Sequence, residues 1–173
     1  MTTQLNEMFC NQCEQTARGT GCTSFGVCGK SPDVSALQDL LVQASRGLAA
    51  IAVEAEALGL DLGEAPRFVE DALFTTLTNV DFDPETIAGK VDQAVALRES
   101  LKRSVAAAGG PSAFSDTFAN YEFATSVAEK VFQGAQLGSP WDTSRDEDIQ
   151  SLQEITLYGM KGISAYAYHA RTL

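Results

Sequence analysis

All the cysteines of this 173-residue chain, Cys10, Cys13, Cys22 and Cys28, fall in one short segment near its start, and none follows. That segment, FCNQCEQTARGTGCTSFGVCGKS over residues 9 to 31, has neither helical period nor strand alternation, and Gly19, Gly21, Gly26 and Gly29 interrupt any regular element. It therefore needs something other than backbone regularity to hold its shape. Residues 1 to 30 balance Glu7 and Glu14 against Arg18 and Lys30, so the net charge of −11 belongs entirely to the rest of the chain. The expected organisation is a cysteine-rich loop, residues 1–31, packed on a helical body, residues 32–173, in one compact domain.

The strong negative charge argues against binding nucleic acid or an anionic membrane surface, since a partner would meet a repulsive field. No apolar run approaches the ~20 residues of a membrane span. The start, MTTQLNEMF, lacks a basic region followed by an apolar one, so a cytoplasmic, reducing compartment is expected.

From Pro32 onward the pattern turns helical. Leu37, Leu40, Leu41, Ala44, Leu48, Ile51, Ala55 and Leu58 form one stripe that ends at Gly59, predicting a helix over about 33–58. A second is expected over 65–80, and a third from Pro84 to the break at Gly109, Gly110 and Pro111. Residues 117–134 suggest a fourth, GSPWDTS over 138–144 reads as a breaker, and 145–173 reads as one long helix whose acidic start, Asp146, Glu147 and Asp148, suits a helix N-terminus. With no strand pattern, the fold class is all-α: a three-helix bundle with an additional long C-terminal helix and an N-terminal cysteine-rich cluster-binding loop.

Leu37 to Leu58 aligns with Leu152 to Leu173 without a gap. Leu37, Gln38, Gly47, Ala50, Ala52, Ala55 and Leu58 recur as Leu152, Gln153, Gly162, Ala165, Ala167, Ala170 and Leu173. Two Ala- and Leu-rich amphipathic helices can look alike by accident. A glycine repeated in mid-helix costs roughly 1 kcal/mol relative to alanine, however, and its recurrence at one register points to duplication and close helix approach. The second copy would then have only its opening helix, whose apolar stripe must either fold back on the bundle or be covered by another copy of the protein.

The spacing C-x2-C-x8-C-x5-C offers four thiolates from one loop, enough for a [4Fe-4S] cluster or a tetrahedral zinc ion. Glycines let main-chain N–H groups approach the sulfurs, and Arg18 and Lys30 would offset negative charge. Disulfides suit a reducing compartment least. Zinc sites are usually built from two well-separated C-x2-C pairs, and here only the first pair has that form, so the uneven gaps favour iron–sulfur while zinc stays open.

The segment MFCNQCEQTARGTGCTSFGVCGKSPDVSALQDLL, Met8 to Leu41, closely resembles the amino terminus of the hybrid-cluster proteins, also called prismane proteins or hydroxylamine reductases. Met8 resembles the family's usual start. Ser151 to Leu173, SLQEITLYGMKGISAYAYHARTL, is similar to a later helix of that family, and residues 60–145 resemble it only in helical layout. The resemblance implies that Cys10, Cys13, Cys22 and Cys28 ligate a proximal [4Fe-4S] cluster, the x8 gap matching the cubane class and not the longer-gapped [2Fe-2S] class. It also implies a first domain of two three-helix bundles. In the family, hydroxylamine or nitric oxide is reduced at a second, hybrid cluster held by Cys, Glu and His residues further downstream. These 173 residues have no spare cysteine, and His169 is their one histidine.

His169 is expected at the surface, and Tyr158, Tyr166 and Tyr168 on the same helix suggest an interface, where aromatics are enriched. The resulting expectation is an electron-transferring iron–sulfur protein with no independent catalysis. It would meet a redox partner protein at its neutral loop and self-associate as a dimer through its last helix. The alternatives are a module that senses redox state, oxygen or nitric oxide, and a subunit of a hydroxylamine reductase-type oxidoreductase.

Overall fold

The computed structural model describes residues 5–137 and 146–173, so the breaker expected over 138–144 lies outside the described residues. Five α-helices are described: α1 (Pro32–Ala57), α2 (Ala65–Thr75), α3 (Pro84–Ala107), α4 (Val127–Leu137) and α5 (Glu147–Thr172). Among the described residues the sole β feature is one antiparallel bridge between Cys10 and Cys22, so the fold is all-α as expected. No described helix is long and apolar enough to cross a membrane.

The helix ends follow from local chemistry. Ser31 caps α1 by accepting from the Val34 N–H, with Pro32 at the first helical position, and Asp83 and Asp146 cap α3 and α5 in the same way. At the other end, Gly59 turns α1 off with φ +70°, and the Leu60 N–H reaches back to the Ala55 carbonyl at 3.0 Å. Gly109 and Gly110 repeat this motif after α3, with φ +78° and a 2.9 Å bond from Gly110 to the Val105 carbonyl.

The centre of the molecule is α1, flanked by α2, α3 and α4. Leu37, Leu40, Leu48 and Ile51 are completely buried, facing Ile87, Val91 and Val105 of α3 among others. Burying one such side chain contributes roughly 1.5–3 kcal/mol.

Two expectations are corrected. The second helix stops at Thr75 and not at 80, because the Thr75 and Thr76 hydroxyls bond the Asp71 and Leu73 carbonyls, each at 2.8 Å, and Asn79 turns left-handed with φ +63°. The fourth helix does not begin at 117. A 3-10 turn, Thr117–Ala119, is followed by irregular chain, and α4 starts only after Ser126. The buried Arg98 guanidinium holds that irregular stretch by donating to the Phe118 and Tyr121 carbonyls at 2.7 and 3.0 Å. A serine cap then opens α4: the Ser126 hydroxyl donates to the Glu129 carboxylate at 2.6 Å and accepts from the Glu129 N–H.

One side of α5 packs on α2, where Tyr168 and His169 meet the Phe74 ring and Arg171 bridges Glu70 and Asp71. His169 is exposed, as expected. Its other side is bare: Leu152, Ile155, Ile163 and Tyr166 are 64%, 67%, 70% and 81% exposed. In the alignment of the two halves these positions correspond to Leu37, Leu40, Leu48 and Ile51, the fully buried residues of α1. The helix thus docks by a polar and aromatic edge while the stripe that echoes the core of α1 faces outward.

Candidate metal centre

All four cysteines are free thiols, with Cys22 buried and Cys10, Cys13 and Cys28 half-buried. Cys10 and Cys22 stand side by side, exchanging main-chain hydrogen bonds of 3.1 and 2.8 Å. Between them the chain turns at Cys13 and again through a 3-10 turn, Ala17–Gly19, where Arg18 and Gly19 take positive φ. That turn aims the Ala17 N–H at the Cys22 sulfur, 3.5 Å away. Beyond it, Gly26 leaves room for the last thiol, since a Cβ there would stand 3.2 Å from Cys28 Sγ.

The positive charge expected near the sulfurs is present in Lys30, whose ammonium lies 3.9 Å from Cys10 Sγ although the residue is only 3% exposed. The loop is tied to the helices through its polar side chains. Gln12 donates to the Thr76 carbonyl and accepts from the Lys161 ammonium, both at 3.0 Å, and the Tyr158 hydroxyl donates to Asn11 Oδ1. Burial, together with the neighbouring Glu154, pushes the Tyr158 phenol well above its usual range, so it stays protonated and can donate a hydrogen bond to Asn11.

Among the described residues, no three Cys, His, Asp or Glu side chains form a group able to hold one metal ion. A tetrahedral zinc ion needs its sulfurs gathered at about 2.3 Å from one point. A polynuclear cluster carries thiolates at separate corners and accepts a wider cage. The Ala17 N–H and the Lys30 ammonium, both directed at sulfur, would offset negative charge on a group held by these thiolates.

Beside Cys10, a cavity of about 560 Å³ opens between the loop, α1, α2 and α5. Two of its charged residues, Asp39 and Lys161, have strongly shifted proton affinities and no role evident from sequence. Asp39 is half-buried, and desolvation there raises its carboxyl to about 7 even though Lys161 and Lys30 act to lower it. Lys161, 6% exposed, is lowered by burial to about 8 against the raising influence of Asp39. The signal available in sequence was an acid flanked by the core leucines Leu37, Leu40 and Leu41 and a lysine between Gly159 and Gly162.

The Prismane/CO dehydrogenase family model matches residues 8–173. The chain belongs to this family. It is similar to the hydroxylamine reductases of Methanocella arvoryzae, 50% identical over 167 residues, and Syntrophobacter fumaroxidans, 49% identical over 166 residues. That of Trichormus variabilis is 44% identical over 168 residues. Each match covers 96% of this chain and 31% of the relative, so the chain corresponds to the amino-terminal part of these prismane proteins. The matched span begins at Met8 and takes in every cysteine and all five helices.

Proposed function

We propose that these residues form an electron-transferring iron–sulfur module in which Cys10, Cys13, Cys22 and Cys28 hold one [4Fe-4S] cluster. The observation that carries this reading is the set of four free thiols on a single glycine-broken loop, with the Ala17 N–H and the Lys30 ammonium directed at sulfur. Bound there, the group supplies a one-electron oxidation and reduction. The protein's part is to hold the thiolates apart, to donate hydrogen bonds that temper their charge, and to leave three of the four half exposed for exchange with a redox partner protein. With no cysteine after Cys28 and one histidine, these residues lack a ligand set for a second cluster, so no independent catalysis is assigned to them.

A second reading follows from coverage. Because the chain spans only 31% of the hydroxylamine reductases it matches, the module could serve as the electron entry of such an oxidoreductase, with the remaining two thirds supplying the reacting centre. The bare stripe of α5 is the surface through which it would associate, and in isolation a second copy of the chain would cover it as a dimer. A cytoplasmic location suits the free thiols.

The test is anaerobic purification with iron, sulfide and zinc analysis and electron paramagnetic resonance. Four irons and four sulfides per chain with a reversible one-electron signal are expected for a cubane. A colourless zinc protein without sulfide overturns the reading.

A further inference from the structure

The cavity beside Cys10 has a size typical of ligand sites, yet holding the thiolates does not require it. Three buried side-chain atoms of its lining residues, Gln38 Oε1, Gln43 Oε1 and Ser45 Oγ, have no hydrogen-bond partner. The Gln38 amide is fixed, because its Nε2 donates to the Asp81 carbonyl at 2.9 Å, so its oxygen must accept from an occupant of the cavity. An unpaired buried polar atom costs about 1–3 kcal/mol. Each water in the liquid takes about 30 Å³, so the cavity has space for a connected group of them. Asp39, which lines the same space, makes no hydrogen bond or salt bridge to any described residue.

We propose that this cavity is a hydrated proton-receiving site for the redox centre at Cys10, with the Asp39 carboxylate as the acceptor. The proposal rests on the iron–sulfur reading above. When one electron arrives from a low-potential one-electron donor, one proton passes from solvent through the cavity water to Asp39, and a carboxyl O–H bond forms. Loss of the electron returns that proton to solvent.

The groups that face Asp39 set the direction. Of the titratable and charged groups that line the cavity with it, Lys161, Tyr158 and Glu154 come from α5, Lys30 and Cys10 from the loop, and Arg46 from α1 itself, while α2 and α4 contribute Val69, Leu73 and Leu137. Burial and Glu154 raise the proton affinity of Asp39, and the two lysines lower it. A further negative charge held by the thiolates acts in the same direction as burial, so reduction strengthens proton binding at Asp39.

The experiment is an anaerobic redox titration of the loaded protein at a series of pH values on both sides of neutrality. The wild-type potential is expected to fall with rising pH over one limb, by up to about 59 mV for each tenfold drop in proton concentration in a one-electron couple. Asp39→Asn removes this limb, and Glu154→Gln retains it. A flat wild-type profile overturns the proposal, as does a limb that survives Asp39→Asn or disappears in Glu154→Gln. Reduced-minus-oxidised infrared spectra of wild-type protein with isotope-labelled aspartate give a readout that needs no variant. A protonated aspartic carbonyl gained on reduction is expected, and its absence overturns the proposal. A preparation without iron and sulfide defeats the iron–sulfur reading and this proposal with it, whereas a fully loaded, pH-independent protein defeats this proposal alone.

Discussion

Gly47 of α1 lies against the main chain of Phe118: a Cβ at position 47 would stand 2.2 Å from the Phe118 carbonyl oxygen. That oxygen is also the acceptor of the Arg98 guanidinium at 2.7 Å, so it cannot retreat without breaking that hydrogen bond. Gly162, at the same register of α5, has nothing within 4 Å of its equivalent position. The repeated glycine has a packing reason in one helix and none among the described residues in the other.

The two glycines should therefore respond oppositely to alanine. Gly47→Ala forces the Phe118 turn outward and is expected to destabilise the fold by roughly 1–3 kcal/mol, as overpacked cores do. Gly162→Ala removes a flexible residue from a helix interior and is expected to stabilise by roughly 0.5–1 kcal/mol. Urea unfolding of the two variants beside wild type measures both.

Arg98→Leu tests whether one side chain organises the chain ahead of α4. It leaves the Phe118 and Tyr121 carbonyls without their donor, and one unsatisfied buried group costs about 1–3 kcal/mol. Unfolding should shift to lower denaturant, and amide exchange over residues 117–126 should accelerate before the rest of the molecule changes.

Replacing any one of Cys10, Cys13, Cys22 or Cys28 by serine exchanges a soft thiolate for a hard oxygen. Iron and sulfide content is expected to collapse in each case, while far-ultraviolet circular dichroism holds, since the cores of α1 and α3 contain no cysteine. Chelation of the metal from wild type should likewise speed exchange at the Cys10–Cys22 bridge and leave α1 protected.

Asp39 predicts a pH signature in stability. Its folded value, raised to about 7, exceeds the ordinary 3.8, so between those limits the folded protein binds more protons than the unfolded chain. Its contribution to stability is present below the ordinary value and is lost as pH climbs through about 7. Asp39→Asn escapes that loss. Relative to wild type it should gain stability progressively across this window and level off above it, as read from denaturation midpoints at each pH.

Light scattering tests the bare face of α5. The isolated chain is expected to run as a dimer, and Ile155→Asp with Ile163→Asp should convert it to a monomer without unfolding it, because both side chains are exposed. A monomeric wild type contradicts self-association.

The long helices were legible because their punctuation is local. Ser31 with Pro32, Asp83 with Pro84, and the glycines at 59 and 109 act on their own neighbours. The end of α2 and the start of α4 were misread, because Thr75, Thr76 and Arg98 act through hydrogen bonds that an apolar period does not register, although S-x-x-E at Ser126 and Glu129 was a readable sign. The cysteine loop was conspicuous from its spacing. The surroundings of Asp39 were not, since Lys30 and Lys161 reach its cavity from opposite ends of the chain.

The bond from Lys161 to Gln12 spans 149 positions of sequence. During synthesis the thiols leave the ribosome well before Tyr158 and Lys161, the side chains that bind Asn11 and Gln12. The nascent loop thus lacks these two anchors until translation has delivered α5.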